Sequence, residues 1–255
     1  MTHPPQVVAQ ALSLVAEGLN DCEISRRLGV NRTTVREWRV KGPPGRIHNG
    51  RNRNGGADRT CPRCHGREVE ATSYTYLLGM YLGDGYIATH PRGVFRLRIA
   101  LDSRYPGIID ECERAIRAVR GGDARVQIVR KVGCQEVGNY WKHWPCVFPQ
   151  HGPGRKHERD IVLFPWQQEM AELHPDRLLR GLIQSDGCRA LNKVNGGVYP
   201  RYQFSNRSAT ADIRGIFCWA CETFGVPWRQ ANAVTISIAK RWAVEKLDAV
   251  IGPKR

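Results

Sequence analysis

The sequence predicts an α+β protein: an N-terminal all-α helix-turn-helix, then a pseudo-twofold core of two α/β repeats. Three observations lead there. Leu77–Gly85 (LLGMYLGDG) and Leu179–Gly187 (LRGLIQSDG) share one pattern, with their aspartates 102 residues apart. The same order of helix, strand and helix patterns follows each copy. Ahead of both lie three short helical patterns separated by glycine turns. The expected domains are residues 1–41, a basic linker over 42–72, a first repeat over 73–170 and a second over 171–255.

In the N-terminal segment, Val8, Leu12, Val15 and Leu19 recur at helical spacing, so residues 6–18 read as an amphipathic helix that Gly18 ends. Asn20 with Glu23 forms a capping-box signature for a second helix, whose apolar face holds Ile24 and Leu28. Gly29 and Val30 make a tight turn, and Asn31 caps a third helix containing Val35 and Trp38. Helix, Gly turn, Arg- and Thr-rich helix is the plan of a helix-turn-helix. Arg32, Thr33, Thr34, Arg36 and Arg39 on the third helix are the candidate DNA-contacting residues, since Arg reads guanine edges and Thr reaches phosphate or a thymine methyl. The alternative is a plain three-helix bundle with a solvated basic face.

Residues 41–60 are rich in Gly, Pro, Asn and Arg, a linker composition. Arg46, Arg51, Arg53 and Arg59 against Asp58 suit a DNA backbone or minor groove. Cys61-Pro62-Arg63-Cys64-His65 then reads as half of a zinc knuckle. No second Cys-x-x-Cys follows nearby, and His48 and His65 are the local histidines. Cys61, Cys64 and His65 are therefore the candidate Zn²⁺ ligands; the alternative is two surface thiols. Cys218 and Cys221 have the same spacing inside the apolar helical pattern Ile213–Phe224, and read as small core residues.

The two repeated runs carry the chemistry. Gly79 and Gly83 fall on one helix face, as do Gly181 and Ser185. Small residues at that spacing let two helix backbones approach closely. Gly85 and Gly187 suit a left-handed helix end, which leaves Asp84 and Asp186 at helix C-termini, where the macrodipole disfavours a negative charge. Helices packed by these faces would bring the two carboxylates together, a repulsion that a divalent cation or a shared proton relieves. Paired carboxylates with Mg²⁺ suit attack on phosphate. The alternative is two buried helices that each end in a surface Asp-Gly turn.

These stretches resemble the paired signature helices of LAGLIDADG homing endonucleases in the two-repeat, single-chain form, over roughly residues 73–255. The resemblance implies that the two helices form the repeat interface and that each repeat contributes a four-stranded antiparallel saddle to DNA. It implies catalytic metal at Asp84 and Asp186, with the preceding Gly83 and Ser185 as further candidate ligands, and cutting of both strands with short 3′ overhangs. Position six of the motif, often acidic in the family, is Leu82 and Gln184 here. Mg²⁺ or Mn²⁺ is the expected cofactor, double-stranded DNA the partner and a monomer the state.

Within the repeats, Val94–Leu101 alternates Arg96 and Arg98 with apolar residues, and Val198–Ser205 carries Arg201 and Gln203. Both read as half-buried strands whose polar face would suit a major groove. Tyr105–Val119 and Ile213–Phe224 read as the helices that follow. The loop His151–His157 offers Arg155 and Lys156 for gripping phosphate or stabilising charge. Lys156 is the candidate catalytic cation of the first repeat, a charge stabiliser, and Lys240, after the strand Val234–Ala239, that of the second.

A net charge of +15 over 255 residues favours a polyanionic partner. No long apolar span or lipidation signal supports a membrane as that partner. The opening Met1–Pro5 lacks the basic-then-apolar order of a secretory leader. Nine cysteines, odd in number and irregularly spaced, suit the reducing cytoplasm. The expected function is a metal-dependent, site-specific DNA endonuclease. The alternatives are a non-cutting DNA-binding regulator and an RNA-binding maturase.

Overall fold

The structure, a computed structural model, describes residues 3, 5–42, 61–121, 124–208, 212–252 and 254. The linker arginines at 46, 51, 53 and 59 and His48 lie outside the described residues. The chain divides into two compact units, residues 1–55 and 56–255. Among the described residues no helix is long and apolar enough to cross a membrane.

The first unit holds α1 (Pro5–Ala16), α2 (Asp21–Leu28) and α3 (Arg32–Lys41). The capping box forms: the Asn20 side chain accepts from the Cys22 and Glu23 amides, while Glu23 accepts from the Asn20 amide at 2.9 Å. Gly29 then takes the left-handed φ of 64° that closes α2. The core is Val8, Ala11, Leu14, Ile24, Val30, Val35 and Trp38. The apolar stripe of α1 is rotated from the expected one. Ala11 and Leu14 are buried, and Leu12, Val15 and Leu19 only flank them.

In the second unit one plan occurs twice. The first half runs α4 (Pro62–His65), α5 (Ala71–Asp84), β1 (Gly85–His90), β2 (Val94–Asp102), α6 (Pro106–Arg120), β3 (Gln127–Arg130), β4 (Cys134–Trp141) and α7 (Trp144–Val147). After α8 (Pro165–Leu173), the second runs α9 (Pro175–Asp186), β5 (Gly187–Val194), β6 (Gly197–Ser205), α10 (Asp212–Phe224), β7 (Arg229–Asn232), β8 (Thr235–Ile238) and α11 (Arg241–Ile251). The antiparallel sheets have matching orders, β1-β2-β4-β3 and β5-β6-β8-β7. Each sheet lays one face on the helices and leaves the other polar. Leu97, Ile99 and Leu101 of β2 are buried, while Arg96 and Arg98 alternate with them.

The halves meet along α5 and α9, backbone against backbone. A Cβ added at Gly79 would stand 2.7 Å from the Leu178 carbonyl and 2.9 Å from the Gly181 Cα. That is the close approach predicted from the small residues. Gly85 and Gly187, however, are not left-handed. Their φ values are −85° and −110°, and each is already the first residue of a strand, paired with Ile99 and with Phe204. The helix passes into the sheet with no loop between. Glycine is required there by space rather than by φ: a Cβ at Gly85 would lie 2.5 Å from the Tyr81 Cα, and one at Gly187 2.7 Å from the Ile183 Cα.

Candidate active site at the ends of the paired helices

Asp84 is the last residue of α5 and Asp186 the last of α9. Since α5 and α9 pack through Gly79 and Gly181, the two half-buried carboxylates come out side by side; a Cβ at Gly83 would lie 3.4 Å from the Asp186 Cγ. Burial, and then the Asp186 charge, push the Asp84 carboxyl up to about 6. Burial raises Asp186 as well, opposed by a hydrogen bond that the Asn206 Nδ2 donates to its Oδ2 at 2.7 Å. Asn206 is itself held, its Oδ1 accepting from the Ser208 amide at 2.9 Å.

Lys156 resolves the conflict between a carboxylate and a helix C-terminus. Its ammonium donates to the backbone carbonyls of Tyr81, Gly83 (2.7 Å) and Gly85 (3.0 Å), at the junction of α5 and β1 where the helix carbonyls concentrate negative charge. Burial lowers its pKa to about 8, and Asp186 and Asp84 oppose that shift. All three ammonium protons are thus directed at the junction of α5 and β1. Neighbouring Arg155 is exposed and pairs with Glu158 at 3.7 Å.

The second cation acting on the acids is Lys254, after α11. Burial lowers its pKa, and Asp84 and Asp186 both counter the effect. Lys240 instead caps α11 on the exposed surface. Lys240 does follow the strand, but the cation of this half that acts on the acids, Lys254, lies one further helix along. Lys254 and Asp84 line a cleft of about 240 Å³ with Asp102, Arg104, Tyr105 and Ser185. Arg104 chelates Asp102, with Nη2 to Oδ2 at 2.6 Å, and holds its carboxyl below the usual range. Of the further ligands expected, the Gly83 carbonyl is taken by Lys156, and the Ser185 hydroxyl donates back to its own helix at Gly181 and Leu182.

The polar sheet faces carry most of the other expected residues. Arg96 and Arg98 lie over the rings of Tyr140 and Tyr86 and share Glu136 with Lys131, whose Nζ is 2.6 Å from its Oε1. The Nε atoms of Arg96, Arg98 and Arg201 are buried without a partner. Gln203 pairs in register with Cys188 and Ser237, and Ser237 pairs with Arg229. Arg229 is an exposed cation on that row that the sequence reading passed over because β7 is only four residues long.

On α3, Arg32, Thr33 and Arg36 are exposed and Thr34 is half-buried. The Thr33 hydroxyl is 2.7 Å from the Asn31 Oδ1, and Arg39 is 2.9 Å from Asp21 and 2.7 Å from the Leu19 carbonyl, so these two also hold the unit together. Cys61 and Cys64 lie beside His143 and Cys146. His65 stands outside that group, its ring edge-on to His143 at 5.9 Å. The signal that would have found the partners is His143-Trp144-Pro145-Cys146, which repeats the two-residue spacing of Cys61-Pro62-Arg63-Cys64.

A family model for a homeodomain-like domain matches residues 4–43. No curated protein matches the chain. Solved structures similar to it include mesophilic variants of the homing endonuclease I-DmoI, at 17% identity over 71% of this chain and 96% of that one, TM-score 0.46. I-WcaI bound to its DNA recognition sequence is similar at 12% identity, 74% and 84% coverage and TM-score 0.49. The N-terminal LAGLIDADG domain of DUF199/WhiA is similar at 12% identity, 80% and 86% coverage and TM-score 0.45.

Proposed function

We propose that this chain is a site-specific double-stranded DNA endonuclease of the LAGLIDADG homing type, with the N-terminal helix-turn-helix as a second DNA-reading unit. The observation that carries the reading is the half-buried pair Asp84 and Asp186. Each ends one of two helices packed through glycine, and each is raised by burial. Folding alone gains nothing from two repelling carboxylates at helix C-termini. Two hard oxygen donors suit Mg²⁺ or Mn²⁺. When bound, such an ion supplies an activated water and offsets charge on the phosphate.

The chain's own residues do the rest. Lys156 holds the end of α5, and so the backbone on both sides of Asp84, in place. Asn206 fixes the rotamer of Asp186. Lys254 brings positive charge to the cleft beside Asp84, where a phosphate oxygen would gain charge. Arg96, Arg98, Arg201, Gln203 and Arg229 offer phosphate and base-edge contacts from the two sheets.

A second reading, a DNA-binding regulator that does not cut, is favoured by the helix-turn-helix and by the saturation of Lys156 on helix carbonyls. Incubating the protein with a randomised duplex library in Mg²⁺, and recovering bound fragments in Ca²⁺, separates the two. Discrete cuts by the wild type, absent in Asp84→Asn with Asp186→Asn although binding persists, support the nuclease. Specific binding without cuts by the wild type supports the regulator.

A further inference from the structure

Away from the acid pair, Cys61, Cys64, His143 and Cys146 form a second cluster of metal-ligating side chains. Cys61 precedes the single turn α4 and Cys64 lies within it; His143 precedes the single turn α7 and Cys146 lies within it, 82 residues on from Cys64. One donor atom from each lies within 4.8 Å of all the others. Cys64 Sγ is 3.5 Å from Cys146 Sγ and 3.6 Å from His143 Nδ1, and Cys146 Sγ is 3.7 Å from the same nitrogen. A tetrahedral ion with Zn–S near 2.3 Å and Zn–N near 2.0 Å sets its sulfurs about 3.8 Å apart and sulfur from nitrogen about 3.6 Å. The Cys64 amide also points at Cys61 Sγ at 3.4 Å, the turn that presents a sulfur outward to an ion.

We propose that Cys61, Cys64, His143 and Cys146 hold one Zn²⁺ that fastens residues 61–66 to the end of β4. Three thiolates and an imidazole select Zn²⁺ over the hard cations suited to the two aspartates. Four protein ligands leave no open position, so the site is structural. The spacing fits one ion and is too tight for a two-iron cluster. All four donors, three cysteines and one histidine, come from stretches too short to be stable alone: α4 and α7 have four residues each. The segment is otherwise tied down by Arg63 over the Trp166 ring at 4.4 Å and by Arg67 on the Val119 carbonyl. The ion therefore fixes where the chain enters the core on its way to α5.

The test uses the full chain, purified without chelator. Elemental analysis should find one zinc per chain, and exchange with Co²⁺ should give the intense visible bands of tetrahedral cobalt with thiolate charge transfer. Cys64→Ser and His143→Gln should each lose the zinc, while Cys218→Ser, outside the cluster, should keep it. Should the ligand variants prove insoluble, the cobalt spectrum of the wild type decides alone. Absence of stoichiometric zinc, a weak octahedral cobalt spectrum, zinc retained in both ligand variants, or a Cys64–Cys146 disulfide in protein kept under reductant would each overturn the proposal. None of these readouts depends on DNA cleavage.

Discussion

The Tyr76 hydroxyl donates to the Gln184 Oε1 at 2.7 Å, fully inside the interface between α5 and α9. Both residues are buried, and burial raises the Tyr76 phenol well above its ordinary value. The bond joins the two halves at the motif position where the resemblance leads one to look for an acid. Tyr76→Phe should cost about 1–3 kcal/mol, because Gln184 keeps a buried acceptor without its donor. Pairing it with Gln184→Leu should recover part of that loss. Urea unfolding of the two single variants and the double variant gives the coupling directly. Strictly additive losses would show that the two side chains do not depend on each other.

Glycine-to-alanine changes should have opposite signs at two helical sites. At Gly79 the new methyl meets the Leu178 carbonyl and the Leu182 amide, at 2.7 and 2.8 Å, and neither backbone can yield. The expected loss is at least about 1–3 kcal/mol. At Gly215 in α10 nothing lies within 4 Å, so alanine should stabilise by about 0.5–1 kcal/mol through helix propensity. Thermal melts of the two variants would settle the point; a tolerated Gly79→Ala would mean that the helices are not in backbone contact.

The acid pair predicts a pH-dependent effect of Asp84→Asn. The Asp84 pKa rises on folding from 3.8 to about 6, so between those values the folded state binds more protons than the unfolded one. Its contribution to stability is therefore present in full at low pH and is lost as pH rises through about 6. In metal-free buffer, Asp84→Asn should match the wild type near pH 4 and exceed it by on the order of 3 kcal/mol near pH 7.5. Millimolar Mg²⁺ should raise the wild-type melting temperature at pH 7.5 and leave the variant unmoved. A wild type more stable than the variant at pH 7.5 without metal would contradict the sign.

Glu136 restrains cations that the DNA reading needs. It is nearly buried, at 12% exposure of its side chain, and faces Arg96, Arg98 and Lys131. Glu136→Gln should free these three, raise affinity for arbitrary duplex DNA several-fold and steepen its decline with salt. Fluorescence anisotropy at a series of salt concentrations measures both. An unchanged affinity would argue that this sheet face does not meet the phosphate backbone.

Much of this was legible in the sequence, for physical reasons. Gly79, Gly83, Gly181 and Ser185 announced a helix pair because nothing else explains small residues four apart in an apolar run. Asn20 and Asn31 located α2 and α3, since capping is local chemistry. The acids stood out because Asp84 and Asp186 occupy the ends of equivalent runs. What stayed hidden depends on contacts far apart in the chain. Lys254 reaches Asp84 from 170 residues away. His143 and Cys146 complete a cluster begun at Cys61, and Asn206 supports Asp186 from beyond two strands. The strands β3 and β7, four residues each, are too short to carry a pattern. Gly85 and Gly187 were read as turn formers because sequence gives no sign of the tight space around them.

The junctions at Gly85 and Gly187 also govern how such a protein can change. Because no spare residue separates either carboxylate from the first rung of its sheet, the two are one mechanical part. A drift in strand tilt that adapts the polar face to a new ligand must rotate Asp84 or Asp186 with it. Substitutions acquired on β1, β2, β5 or β6 are then read out twice, once at the surface they alter and once at the acid they re-aim. Variation that leaves the acids undisturbed has its freest room at the far rims, on β3 and β7.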